Sequence, residues 1–354
     1  MQELKLKNRI IGDKHPTYII AEMSANHAGS IERAFMRCLA IAKALRTRAE
    51  EVMFIIADNQ AEYILKQHNF KYIILHTKWD DLESELIPIK EIIKKYDVNN
   101  LLIDSYKVTY KYLEFLGKLT KTYYIDDIGK FDYPVDGIIC YANYWSELCY
   151  RLDDARVSYY LDTSYVPLQQ EFWDMPHKVI SNKVKNLLIM TGGSDPYNIT
   201  SRILDKIDTK DYEKIDVICG RYNKNYNDLA IKYKTEKNVS ILKDVNNIYE
   251  FMKKTDVAIS AGGTTLYELC ACGTPTISYS FVDNQINNVK QFENDGLIQY
   301  VGDIRDDNLT ERMNSILKNL CDNIDEREQR SKRMQSAVDG YGAMRIANIL
   351  SEHI

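Results

Sequence analysis

The chain has no apolar run approaching the roughly 18 residues that cross a bilayer, and its opening, Met1-Gln-Glu-Leu-Lys-Leu-Lys, lacks the apolar segment of a secretory signal. A cytoplasmic location is expected. The seven cysteines are odd in number, scattered from Cys38 to Cys321, and include no C-x-x-C pair. This argues against both a disulfide framework and a zinc site. Positive charge is not in excess: 46 Lys and Arg stand against 51 Asp and Glu, a formal net charge of -5. Electrostatics therefore gives no case for nucleic acid or anionic lipid as the main partner. Neither a repeat of fixed short period nor a low-complexity tract is present. What remains has the composition of a soluble globular protein, 45% hydrophobic and 27% charged, and 354 residues suffice for two domains with separate cores.

The most informative stretch runs from Asp256 to Tyr279. Val257 to Ile259 has the length and β-branched content of a buried parallel strand, and it breaks at Ala261-Gly262-Gly263 into residues that read as a helix. Glycines at such a turn let a ligand approach the backbone, and the exposed N–H groups and positive dipole end of the helix favour an anion such as a phosphate. Thr264 and Thr265 add hydroxyl donors. Glu268 follows Thr264 by about one helical turn and faces the same way, placed to accept hydrogen bonds from a ribose. Gly273-Thr274-Pro275 ends the helix, and Thr276 to Tyr279 starts another strand. An ordinary strand-to-helix turn has the same glycines; the carboxylate at this offset favours a nucleotide site.

Apolar strands alternate with amphipathic helices along the rest of the chain, which predicts an α/β protein with mostly parallel sheets. In the first half the expected strands are Tyr18 to Ala21, Val52 to Ala57, Tyr72 to Leu75, Leu101 to Asp104, Tyr123 to Asp126 and Gly137 to Tyr141. Helical periodicity is clearest over Arg37 to Arg46, Leu82 to Tyr96 and Lys107 to Leu119. The pattern lapses between Tyr165 and Lys178, read as the connection between a domain of residues 1–170 and one of residues 171–354. In the second, Asn186 to Met190 runs into another glycine turn, Thr191-Gly192-Gly193-Ser194-Asp195-Pro196, and further strands are expected at Val217 to Cys219, Val239 to Leu242, Val257 to Ile259 and Thr276 to Tyr279. Two such turns place the nucleotide in this half, since ligands of open α/β sheets collect at the carboxyl ends of strands. Glu326 to Ile354 reads as helical with an interruption at Gly340 and Gly342, its last helix packing back on the first domain.

Six segments in order, Met36 to Leu45, Ile103-Asp-Ser-Tyr106, Tyr124-Ile-Asp-Asp127, Gly192-Gly-Ser-Asp195, Ser260 to Glu268 and Asp283-Asn-Gln285, resemble the UDP-sugar hydrolases of pseudaminic acid biosynthesis. Their relatives are the GT-B glycosyltransferases of the peptidoglycan type. The resemblance implies two Rossmann-like domains facing across a cleft, UDP in the C-terminal one, and hydrolysis of UDP-2,4-diacetamido-2,4,6-trideoxy-β-L-altropyranose to UDP and the free sugar. It implies that Gly262, Gly263, Thr264 and Thr265 meet the diphosphate, that Glu268 meets the ribose, and that Gly192, Gly193 and Ser194 line the cleft. It also puts Arg37, Asn284 and Gln285 on the substrate, with Tyr106 and Asn284 near the sugar and the attacking water. Asp126 and Asp127, adjacent carboxylates leaving a strand, point apart and are read as turn or cap residues. No metal or cofactor is required, and a monomer is expected. Transfer of the sugar to an acceptor, or binding of the nucleotide-sugar without catalysis, are the alternative functions.

One departure bears on the chemistry. The resemblance implies a G-x-G-H-x-x-R loop before Met36, but alignment there puts Arg33 at the second glycine and Ala34 at the histidine that would deprotonate water. Residues 1–34 instead include Pro16 to Ala34, which resemble the opening strand and loop of the TIM-barrel pseudaminic or sialic acid synthases. A whole barrel is excluded, because it needs eight such units and typically about 250 residues. Tyr18 to Ala21 still serves as a strand, Asn26 to Gly29 as a turn and Ser30 as a helix cap. His27, on that turn, is the candidate substitute base.

Overall fold

A computed structural model of the protein describes residues 4–6, 9–11, 17–23, 31–48, 50–245 and 247–351, with side chains from Phe35 onward. The chain forms two compact units, one of Met1–Gln170 with Tyr341–Ile354, the other of Glu171–Gly340.

The first unit starts with a small antiparallel pair, β1 (Leu4–Leu6) and β2 (Arg9–Ile11). It continues through β3 (Thr17–Met23), α1 (Ile31–Thr47), β4 (Glu51–Ile56), α2 (Glu62–Gln67), β5 (Lys71–Ile74), α3 (Leu86–Tyr96), β6 (Val98–Asp104), α4 (Tyr110–Gly117), β7 (Lys121–Ile125), β8 (Gly137–Cys140) and β9 (Ser158–Leu161). The seven strands after the hairpin make one parallel sheet in the order β5-β4-β3-β6-β7-β8-β9. Ile103 pairs with Tyr124, and Tyr124 with Ile138. All three side chains are buried in one core with Ile55, and fully burying such a side chain stabilises by about 1.5–3 kcal/mol. On α1, the buried Phe35, Cys38, Leu39, Ala42 and Leu45 repeat at helical spacing. Helix α4 begins later than its periodicity suggests because Thr109 caps it, its side chain accepting from the Tyr112 N–H at 3.1 Å.

The second unit comprises β10 (Asn186–Met190), α5 (Ile199–Leu204), β11 (Lys214–Cys219), α6 (Tyr226–Lys232), β12 (Val239–Lys243), α7 (Ile248–Lys254), β13 (Val257–Ala261), α8 (Thr265–Ala271), β14 (Thr276–Ser280), α9 (Ile286–Asn294), β15 (Gln299–Asp303), α10 (Leu309–Asp322) and α11 (Ile324–Ala337). Its six parallel strands lie in the order β12-β11-β10-β13-β14-β15. Counted along the chain this is 3-2-1-4-5-6, the dinucleotide-fold order. Val217, Ile189, Ile259 and Ile277 form a row of register partners across four strands, each at most 1% exposed. Buried on both faces, these strands read as continuous apolar runs.

Helix α12 (Gly342–Ser351) belongs to the first unit. There the side-chain amide of Asn100 donates to the Leu350 carbonyl at 3.0 Å, and Arg345 donates to the Ser164 carbonyl at 2.8 Å. All seven cysteines are free thiols. Among the described residues no helix is long and apolar enough to cross a membrane.

Candidate functional site

Strand order decides where a ligand has room. In the second unit the order reverses between β10 and β13, and crossovers leave these two strands in opposite directions, so a crevice opens beyond their carboxyl ends. Met190 is the register partner of Ser260. Gly192 and Gly193 follow Met190 by two and three residues, and Gly262 and Gly263 follow Ser260 by the same two and three. The two glycine pairs are thus brought side by side at the switch point.

The turn after β13 leads directly into α8. Gly262 is buried and its N–H donates to the Tyr279 carbonyl at 2.9 Å, whereas Gly263 is half-buried. Thr264 is exposed, occupies the cap position in helical conformation and makes no side-chain cap bond. The N–H groups of Thr264 and Thr265 donate to no group among the described residues. They are the free first-turn donors that every helix N-terminus carries. Asn288 of α9 fixes the turn: its amide donates to the Gly262 carbonyl at 3.3 Å and its oxygen accepts from the Tyr267 hydroxyl at 3.0 Å. Gln285 is half-buried with Oε1 accepting from the Phe281 N–H at 3.1 Å, which leaves Nε2 on the Gly263 side. Asn284 is exposed in the short turn before α9. Arg305 ties that turn to β15, donating to Asp283 at 2.8 Å while paired with Asp303, whose carboxyl is held at about 2 by Arg305. Glu268 is half-buried, one turn into α8.

The turn after β10 differs from its expected form. Gly192 has φ +81° and Gly193 is half-buried, but α5 begins only at Ile199, so this glycine pair does not open a helix. Asp195 does that work, its buried carboxylate accepting from the N–H groups of Ile199 at 2.7 Å and Thr200 at 3.1 Å and from the Thr200 hydroxyl at 2.6 Å. Ser194 is exposed. Gly220, which sequence reasoning passed over, abuts the pair from the end of β11, and the Tyr222 N–H donates to the Gly193 carbonyl at 3.1 Å. A glycine one residue beyond a strand was the only available signal.

The remaining candidates lie in the first unit. His27 falls outside the described residues, and of Ala34 only the backbone, within α1, is described. Arg37 is buried and bidentate on Asp104, at the end of β6, and donates to the Tyr141 hydroxyl at 2.8 Å. Burial opposes its charge, but Asp104 outweighs it and the guanidinium titrates well above its usual range. The same guanidinium lies 5.9 Å from the ring centres of Tyr106 and Tyr141. Tyr106 donates to Oδ2 of Asp127 at 2.8 Å. Burial raises the Asp127 carboxyl above its ordinary value, Arg37 and the Tyr106 hydroxyl pull it back, and the Asp126 and Asp104 charges raise it further. The turn role expected of both adjacent carboxylates belongs to Asp126, which accepts from the N–H groups of Ile128 and Gly129. Among the described residues no cluster of His, Cys, Asp or Glu has the makings of a metal site.

Residues 187–343 match the glycosyltransferase family 28 C-terminal domain, which spans most of the second unit. An uncharacterized protein of Methanocaldococcus jannaschii is 28% identical over 266 residues, covering 70% of this chain and 53% of its own length. A UDP-N-acetylglucosamine–N-acetylmuramyl-(pentapeptide) pyrophosphoryl-undecaprenol N-acetylglucosamine transferase of Helicobacter acinonychis is 34% identical over 151 residues, 39% of this chain and 41% of that protein. The chain spans about half the length, or less, of these curated relatives. The crystal structure of Acinetobacter baumannii MurG superposes over 96% of this chain and all of that one, with a TM-score of 0.70 at 12% identity. The fold is GT-B-like, with parallel sheets in two Rossmann-like units.

Proposed function

We propose that the protein is a glycosyltransferase that takes its sugar from a UDP-sugar, the diphosphate resting on the turn Gly262 to Thr265. The observation that carries this reading is the alignment of the two glycine pairs beyond Met190 and Ser260 at the switch point of the second sheet. The match of residues 187–343 to the family 28 domain, and the likeness to a transferase named for UDP-N-acetylglucosamine, support it. In this reading Gly263 lets the phosphates approach the backbone, and the N–H groups of Thr264 and Thr265 meet the charge that builds on the β-phosphate as the glycosidic bond breaks. The Gln285 amide assists beside them. Glu268 receives the ribose hydroxyls, while Gly192, Gly193, Ser194 and Asn284 border the same nucleotide-sugar.

A second reading, hydrolysis of UDP-2,4-diacetamido-2,4,6-trideoxy-β-L-altropyranose, is favoured by the ordered set of segments from Met36 to Gln285 that resemble such hydrolases. It needs the same UDP site and differs only in whether water or an acceptor hydroxyl attacks. The deciding experiment is titration calorimetry with UDP, followed by UDP release from UDP-N-acetylglucosamine and from the altrose derivative, with and without acceptor. Acceptor-dependent product supports transfer, and free sugar without acceptor supports hydrolysis. Binding without turnover leaves a nucleotide-sugar binder, and no UDP binding sinks every form of the reading.

A further inference from the structure

Tyr279, on β14, is the register partner of Ala261 at the end of β13. Its main chain holds the turn that follows, because its carbonyl accepts the Gly262 N–H at 2.9 Å. Its side chain is fully buried, in the core that Ile199 and Ile203 of α5 share with Ile189, Ile259 and Ile277. Asp195 caps that same helix. The carboxylate there takes three donors, the N–H groups of Ile199 and Thr200 and the Thr200 hydroxyl, whereas an ionised carboxylate has room for about four. The Thr200 hydroxyl has one proton and gives it to Asp195, so its 2.9 Å contact with Thr191 is a bond that Thr191 donates. The Tyr279 hydroxyl, by contrast, makes no hydrogen bond among the described residues. Burial first, and then the Asp195 charge, hold it well above its usual range, so it stays a donor. A fully buried hydroxyl without an acceptor destabilises a fold, and phenylalanine would fill the same space without it. One residue is thus bonded through its backbone to the Gly262 turn and stands near the anchor of the Gly192 turn, with a donor still to place.

We infer that Tyr279 is the positioning residue that couples the two glycine turns of the second unit: UDP, resting on one and bordered by the other, draws them together, and the Tyr279 hydroxyl then donates to the open position of the Asp195 carboxylate. This rests on the UDP-sugar reading above. The bond forms only in the complex, so its energy adds to binding and not to folding. The turn from Gly192 to Asp195 is thereby fixed against the turn from Gly262 to Thr265, with no contact between the Tyr279 side chain and the nucleotide.

The test is urea unfolding and UDP titration calorimetry of the full-length protein, as wild type and Tyr279→Phe, with the tyrosine Cζ resonances followed by carbon-13 NMR as UDP is added. Tyr279→Phe is expected to unfold at higher urea than wild type and to bind UDP about tenfold more weakly, the scale of one hydrogen bond to a charged group. The Tyr279 Cζ resonance, assigned as the one missing from Tyr279→Phe, is expected to shift on saturation with UDP as the hydroxyl gains its acceptor. A merely structural tyrosine would not part stability from affinity in this way. Equal UDP affinity in the two proteins overturns the inference alone. So does a Tyr279→Phe protein less stable than wild type, since the hydroxyl then has its acceptor without UDP, and so does an unmoved Tyr279 resonance in the saturated wild type. A wild-type protein that does not bind UDP overturns the UDP-sugar reading and the inference with it.

Discussion

Gly262 and Gly263 are consecutive residues with opposite surroundings: a Cβ on Gly262 would lie 2.2 Å from Cγ1 of Val289, whereas a Cβ on Gly263 meets nothing nearer than Nε2 of Gln285 at 3.9 Å. The first is glycine for packing. The second is glycine where the fold itself has room for a side chain, as expected where the space is kept for something else.

Substitution separates the two. Gly263→Ala is expected to leave stability within about 1 kcal/mol of wild type, since the new methyl fits and the unfolded chain loses freedom, while UDP affinity drops about tenfold or more, some 1.4 kcal/mol. Gly262→Ala is expected to destabilise by about 1–3 kcal/mol through overpacking. Urea unfolding and calorimetry on both variants check this; unchanged UDP affinity in Gly263→Ala would count against the phosphate turn.

Asn288 bridges two elements from within α9, and it is buried. Asn288→Ala leaves the Gly262 carbonyl and the Tyr267 hydroxyl without this partner, at a cost of about 1–3 kcal/mol. Urea midpoints should fall accordingly, and UDP should bind more weakly because the turn is no longer tied down.

Gly220 supports the other glycine pair. An added Cβ would sit 2.5 Å from the Gly193 Cα and 2.6 Å from the carbonyls of both Gly192 and Gly193, all backbone atoms that cannot rotate aside. Gly220→Ala is expected to cost about 1–3 kcal/mol and to displace the turn. Thermal unfolding, with chemical shifts of the Gly192 and Gly193 amides, reads both effects.

Glu85 gives a pH signature remote from the site. Its side chain is fully buried, Oε1 accepts from the Thr77 hydroxyl, and Oε2 has no partner among the described residues. Burial, opposed by Thr77, pushes its carboxyl from 4.5 up to about 7. The folded state therefore holds this proton more tightly than the unfolded chain. The stability it contributes is complete below about pH 4.5 and is lost as pH rises to about 7. Between pH 5 and pH 8 the wild type is expected to lose roughly 2 kcal/mol more than Glu85→Gln, measured by urea unfolding at each pH.

The central strands were legible because burial on both faces writes them as unbroken apolar runs: Asn186–Met190 begins and ends where its sequence suggests. The edge strands β9 and β15 were not, since Ser158–Leu161 is nowhere fully buried and Gln299–Asp303 carries polar ends and a glycine. Local signals found the two glycine turns, but their adjacency depends on strand order, which no local window contains. Asp195 caps α5 because Asp195 and Asn198 take positive φ and turn the chain back over it. Asn288 as the strut of the turn depends on Gly262 and Tyr267, 26 and 21 residues away, and the division of roles between Asp126 and Asp127 on Tyr106, 21 residues before Asp127. None of that is written in residue type.

The first unit takes residues 341–351 from beyond the whole of the second, and Ile346, Ala347 and Leu350 of α12 are buried in it. The second unit is one uninterrupted run and closes its sheet with residues of its own, whereas the first is sealed by a helix drawn from the far side of that run. A cut after Gly340 would therefore leave the second unit whole and strip the first of its covering helix.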